Sequence, residues 1–251
     1  MGTVAEAVRI LGVRVDNVTT EGTLDMLERF VAEGCPHQVV TVNPEFIVEA
    51  QHDAQFRAAL EGADLALPDG AGLMWASRLL GRPLRQRVTG SDTVPLIARL
   101  CARRGYRIFL LGAAPGVAKE AAAVLTRDNP GLQIVGTYAG SPAPSEEDEI
   151  IARIGRASPD FLFVAYGAPR QDLWIRRNFQ RLGVPVSMGV GGTLDFIAGM
   201  AVRAPRWMRR VGLEWLHRLC RQPWRWRRML ALPRFGYLVI KQRLSVGARR
   251  N

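Results

Sequence analysis

Cysteine is scarce in this sequence, with only Cys35, Cys101 and Cys220 among 251 residues. Three scattered thiols exclude a disulfide framework and fit a reducing, cytosolic compartment. The three histidines, His37, His52 and His217, stand in no metal-ligand spacing with those cysteines, so the sequence predicts no metal site. No apolar run reaches the length a membrane-spanning helix needs. The opening MGTVAEAVRI lacks the basic-then-apolar layout of a signal peptide. Also missing are the G-x-G-x-x-G of a dinucleotide fold and the Gly-Lys-Ser/Thr of a P-loop. Internal repeats and low-complexity linkers are absent as well.

What is present is a globular composition, 48% hydrophobic and 23% charged, with a net charge of +11 that is unevenly spread. Residues 203–251 hold 14 of the 34 basic residues against a single acid, Glu214. Four of the six tryptophans, Trp207, Trp215, Trp224 and Trp226, lie there too. The chain therefore divides into a near-neutral body, 1–202, and a cationic, aromatic appendage, 203–251.

The body alternates strand-like and helix-like stretches. RILGVRVDNVT and HQVVTVN read as strands, with the amphipathic TLDMLERFVAEG between them ending at Gly34. PEFIVEAQHDAQFRAALEGA reads as one helix before the short apolar DLALPDG. YRIFLLG, QIVGTY, DFLFVAYG and VPVSMGVG read as further strands, separated by helical segments. That order predicts an α/β fold, a Rossmann-like and mainly parallel sheet with helices on both faces. In the appendage, Val211, Trp215 and Leu219 fall at helical spacing among arginines. Pro223 and Pro233 are expected to cut the remainder into short basic amphipathic pieces, suited to lying on an anionic bilayer.

Doubly wound sheets bind ligands beyond the carboxyl ends of their strands. The residues there are Asn43 after HQVVTV, with Thr41 one pleat earlier, Asp69 after DLAL, APRQD after DFLFVAYG, and the glycine-rich GAAPG and GVGGTL. Each has an ordinary local explanation. Asp69, between Pro68 and Gly70, suits a turn. Asn43 before Pro44 suits a helix cap. Gln171 reads as a first-turn helix residue and Arg87 as a solvated charge. A nucleic-acid-binding protein would also use a basic, aromatic tail. That reading leaves these strand-end residues unexplained, and no nucleic-acid partner is expected.

Taken in order, TVNPEFIVEA, ADLALPDGAGL, RVTGSD, FLLGAAPGVA, PDFLFVAYGAPRQDLWI, GVGGTLDFIAG, RAPRWMRRVGLEWLHRL and QPWRWRR resemble the WecG/TagA/CpsF family, glycosyltransferase family 26. The resemblance runs from about residue 8 to about residue 235. It implies an inverting glycosyltransferase that moves a sugar, N-acetylmannosamine by first choice, from a UDP donor to polyprenyl-diphosphate-linked N-acetylglucosamine. N-acetylmannosaminuronic acid or glucose is the alternative donor sugar. By the same resemblance, Asp69 is the general base, and Thr41, Asn43, Arg87 and Gln171 bind substrate. Arg218, Arg225 and Arg228 of the appendage complete the site. The appendage meets the cytoplasmic face of the bacterial membrane, and a homo-oligomer is left open.

An inverting transfer needs one base for the acceptor hydroxyl, and cations for the diphosphate that departs on the other side. The sequence has no D-x-D string, the usual acidic clamp for a metal-bound sugar nucleotide. Arginines and backbone donors are therefore expected to carry that charge, with no metal and no cofactor. Two departures from the family pattern, Asp172 after Gln171 and Ala139 before Gly140, leave the proposed base untouched.

Overall fold

A computed structural model describes residues 6–223 and 226–248. The chain opens with a hairpin, β1 (Ala7–Ile10) against β2 (Val13–Asp16), antiparallel. The single strand expected there is split because Leu11 and Gly12 both turn at positive φ. Helix α1 (Thr20–Glu33) starts where Thr19 Oγ1 accepts from the Gly22 N–H, and it stops at Gly34. Strand β3 (His37–Val42) leads into α2 (Pro44–Glu49) and α3 (Ala54–Glu61). One helix was expected over that stretch. The chain instead breaks after Ala50, and Asp53 caps the second piece by accepting from Phe56 N–H at 2.9 Å.

Strand β4 (Leu65–Pro68) is followed by α4 (Ala71–Leu79) and α5 (Gly90–Arg104). Next come β5 (Arg107–Gly112), α6 (Val117–Asp128), β6 (Gln133–Tyr138) and α7 (Glu147–Ala157). Then follow β7 (Phe161–Ala165), α8 (Arg170–Leu182), β8 (Val186–Gly189) and α9 (Thr193–Ile197). The last segment holds α10 (Arg206–Arg210), α11 (Glu214–Arg221), α12 (Trp226–Met229) and α13 (Ala231–Ala248).

Six strands form one sheet in the order β4-β3-β8-β7-β5-β6, and every pairing is parallel. The expected α/β class holds, and all six carboxyl ends share one edge of the sheet. Strand residues alternate between two apolar layers. Val39, Leu65, Leu110 and Met188 pack on the side of α5, α6 and α9. Val40, Val42, Ala66 and Phe46 pack with the hairpin, α4 and α13 on the other. Trp174 of α8, wholly buried, anchors the half of that second face beneath α7 and α8.

The appendage differs most from expectation. The spacing of Val211, Trp215 and Leu219 does not make one continuous helix, because the chain turns at Gly212 (φ +80°) between α10 and α11. Pro233 does not break its segment either. It sits in the first turn of α13, where a missing N–H costs nothing, and the helix runs 18 residues. Phe235 and Val239, one turn apart, are buried in the body's core. Gln242 Oε1 accepts from Leu11 N–H at 2.9 Å. Among the described residues, no helix is long and apolar enough to cross a membrane.

Candidate active site

The parallel register of β3 and β4 sets Val42 beside Pro68, so the residues that follow, Asn43 and Asp69, emerge as neighbours. The Asp69 N–H donates to Val42 O at 2.7 Å, extending that pairing by one residue. The chain then swings away through Gly70 at φ +113°, a backbone conformation closed to side-chain-bearing residues at little cost. A methyl at Gly70 would also press on Pro44 Cδ at 3.3 Å. The turn glycine therefore does two things. It redirects the chain into α4, and it leaves the Asp69 carboxylate at the rim of the sheet.

Asp69 opens on a cavity of about 360 Å³ whose polar lining includes Asn43, Arg87, Thr89, Glu214 and Arg218. Its Oδ2 accepts from Gly90 N–H at 3.4 Å, the first residue of α5. Burial pushes the Asp69 pKa up to about 6, and the Glu214 carboxylate pushes the same way. Arg218, the Gly90 N–H and Arg87 pull it partly back down. A carboxylate so balanced holds a proton at mildly acid pH and is an active base at neutral pH. The rest of the lining is apolar: Trp75 of α4, Met229 of α12, and Leu232 and Phe235 of α13.

The other sequence-predicted residues divide into two groups. Arg87 and Arg218 line the cavity with Asp69. Arg218 also lies 4.7 Å over the Phe196 ring and 3.9 Å from Glu214. Asn43 lines it too, while its Oδ1 caps α2 by accepting from Phe46 N–H at 3.0 Å. The amide nitrogen is what it has left to offer a ligand. Thr41 is buried on β3 beneath Gly90 and is not part of the lining. Gln171 is buried as well, and its Oε1 accepts from the N–H groups of Gly167 and Gly191 at 3.2 and 2.9 Å. It ties the loop after β7 to the loop after β8. Arg228 lies outside the lining and pairs with Glu45 at 2.7 Å. Arg225 lies outside the described residues.

Three features were not read from the sequence. Glu214 joins the site across the appendage, held near Arg203 (3.6 Å) and Arg218 (3.9 Å). Its signal was its isolation as the lone acid among 14 basic residues in the tail. Asp92 latches the appendage to α5, taking Arg203 at 2.7 Å and Arg209 at 3.3 Å. Burial alone would raise the Asp92 pKa, but Arg203, Thr89 and Arg209 hold it below the usual carboxylate value. Asp172, beside Gln171, is fully buried, and burial pushes it up to about 7.

A neighbouring cavity of about 380 Å³ lies at the ends of β5, β7 and β8, lined by Ala113, Tyr166, Arg170, Gly192 and Asp195 among others. It adjoins the GAAPG turn that precedes α6. At the opposite edge of the sheet, Glu33, Cys35 and His37 bring three potential metal-ligand atoms within 4.8 Å of one another. The group unites one cysteine and one histidine with a carboxylate, a set that cysteine and histidine spacing alone does not mark.

The family model described as Glycosyl transferase WecG/TagA/CpsF family matches residues 8–249. A Bacillus spizizenii protein is 36% identical over 203 residues, covering 81% of this chain and 78% of its own length. One from Bacillus subtilis is 34% identical over 220 residues, 87% of this chain and 85% of the relative. One from Staphylococcus aureus is 29% identical over 241 residues, 95% and 94% of the two chains. All three carry the name N-acetylglucosaminyldiphosphoundecaprenol N-acetyl-beta-D-mannosaminyltransferase.

Proposed function

This chain belongs to the WecG/TagA/CpsF family of glycosyl transferases, and from that premise we propose that it moves N-acetylmannosamine from a UDP donor to N-acetylglucosamine on a polyprenyl diphosphate. The observation that carries the site assignment is Asp69, a strand-end carboxylate with its pKa raised to about 6, in a cavity shared with Arg87, Arg218 and Glu214.

In the proposed reaction, Asp69 takes the proton of the acceptor hydroxyl as its oxygen attacks the donor's anomeric carbon. The bond from that carbon to the β-phosphate oxygen breaks on the opposite side, and the electron pair leaves with UDP. One base suffices for this inverting displacement. Arg87 and Arg218 meet the charge that grows on the departing diphosphate, and charge-assisted bonds suit that task. The nucleotide is assigned to the neighbouring cavity, where the turn before α6 offers backbone N–H groups. Gln171 acts by holding the two loops between these cavities rather than by touching the reacting atoms.

The appendage is proposed to bring the site to the inner membrane surface. Its exposed Trp207, Val211, Leu216 and Trp226 lie among arginines, the composition of a segment that rests at a bilayer interface. The test is a panel of UDP-sugars with a short-chain prenyl-diphosphate-GlcNAc acceptor, following UDP release and the disaccharide product. Transfer is expected from UDP-N-acetylmannosamine, with and without a chelator. Transfer from none of the panel would end this reading.

A further inference from the structure

The cavity that holds Asp69 has a lining of mixed character. Asn43, Asp69, Arg87, Glu214 and Arg218 make part of it polar and charged, while Trp75, Met229, Leu232 and Phe235 supply apolar surface. An exposed tryptophan beside a sugar site invites a stacking role, and Trp75 is 44% exposed. Met229 and Leu232 argue otherwise, because thioether and aliphatic groups offer a sugar neither a flat face nor a partner for its hydroxyls. Such a lining suits hydrocarbon.

Resting on the function proposed above, we infer that this apolar wall holds the first isoprene units of the acceptor, the hydrocarbon next to its diphosphate. The lining brings together a base and an apolar wall, both of which such a molecule needs. Its sugar hydroxyl must reach Asp69, and what lies beyond its diphosphate is branched alkyl. Farther along the helix that supplies Leu232 and Phe235, Tyr237 and Ile240 are exposed. The wall is also shared between body and appendage. Trp75 comes from α4, whose Gly72 runs so close to α13 that an added Cβ would lie 3.7 Å from Phe235. The subsite therefore exists only while α13 is docked.

The test is calorimetric titration of the full chain with farnesyl diphosphate and with methyl diphosphate, both below micelle-forming concentrations. Farnesyl diphosphate is expected to bind at least about tenfold more tightly, given the methylene groups it buries. Trp75→Ser and Leu232→Asn should erase most of that advantage and leave methyl diphosphate unchanged. Leu244→Ser, on an exposed stretch of α13 outside the lining, should alter neither. Equal affinities in the unaltered chain, or an advantage that survives both cavity variants, would overturn the inference. So would an advantage lost in Leu244→Ser, which would mark adsorption to the outer surface. Transfer assays with the two matching GlcNAc-diphosphate acceptors separate this from the function itself. Prenyl selectivity in binding without any sugar transfer would remove the glycosyltransferase reading and leave the subsite standing. An equal fall in kcat/KM on both acceptors in Trp75→Ser would make Trp75 a sugar platform and overturn the lipid assignment.

Discussion

Asp69 and Asp172 are two raised carboxylates with different causes and different consequences. For Asp69, transfer should increase with pH as the side chain loses its proton near pH 6. Asp69→Asn should lower turnover by roughly a hundredfold or more while UDP still binds, measured by UDP release and by titration. Near-normal turnover in that variant would remove the base. Glu214 raises the Asp69 pKa, so Glu214→Gln should move the acid limb of the pH profile to lower pH; a limb shifted upward or unmoved would contradict the coupling. Asp172 has no such partner across a cavity. Its folded pKa, about 7, lies above the ordinary 3.8, so the folded state holds the proton more tightly than the unfolded chain. The stability this provides is complete at low pH and is lost as pH rises toward 7 and beyond. Asp172→Asn should therefore raise the melting temperature at pH 8 and change it little near pH 4. That Asp69 and Asn43 share one rim of the sheet was legible, because each directly follows a parallel strand. Glu214 and Trp75 were not, since nothing local says that a tail acid and a helix tryptophan will share one cavity.

Among the elements, those with strong apolar period were readable and those defined by a tertiary neighbour were not. HQVVTV, RIFLLG and FLFVA are buried along most or all of their length, and their largely apolar character fits strands covered on both faces. α4 and α9 went unread because each is short, follows a glycine turn and has no capping side chain. The break between α2 and α3 hid in a continuous helical pattern, where only the Asp53 cap marks it. The turn between α10 and α11 rests on Gly212, where an added Cβ would meet the Ala71 Cβ at 2.6 Å. Gly212→Ala should thus push the appendage from α4 and cost about 1–3 kcal/mol in stability, with transfer reduced. Gly81→Ala is the control, since Gly81 also has positive φ but open space around it. Equal losses in the two variants would mean that backbone strain alone, and not the α4 contact, is at stake.

Over the whole molecule, the division into body and appendage that charge suggests is only partly a division of structure. The arginine-rich α10 to α12 lie outside, but α13 reaches into the core through Phe235 and Val239. A chain cut at residue 202 should lose stability by uncovering that apolar face, which a lower melting temperature and increased dye binding would report. Binding of the full chain to anionic vesicles should weaken with salt and be unaffected by Asp69→Asn, as expected of surface electrostatics. The contact between Leu11 and Gln242, 231 positions apart, has a use of its own. It encircles nearly the entire chain, so a chemical cross-link there would remove roughly 5 kcal/mol of unfolded-state freedom. A cleavable linker at that point would turn the molecule into its own reporter. If the sealed ring turns over as fast as the opened one, the catalytic cycle never requires the last helix to leave.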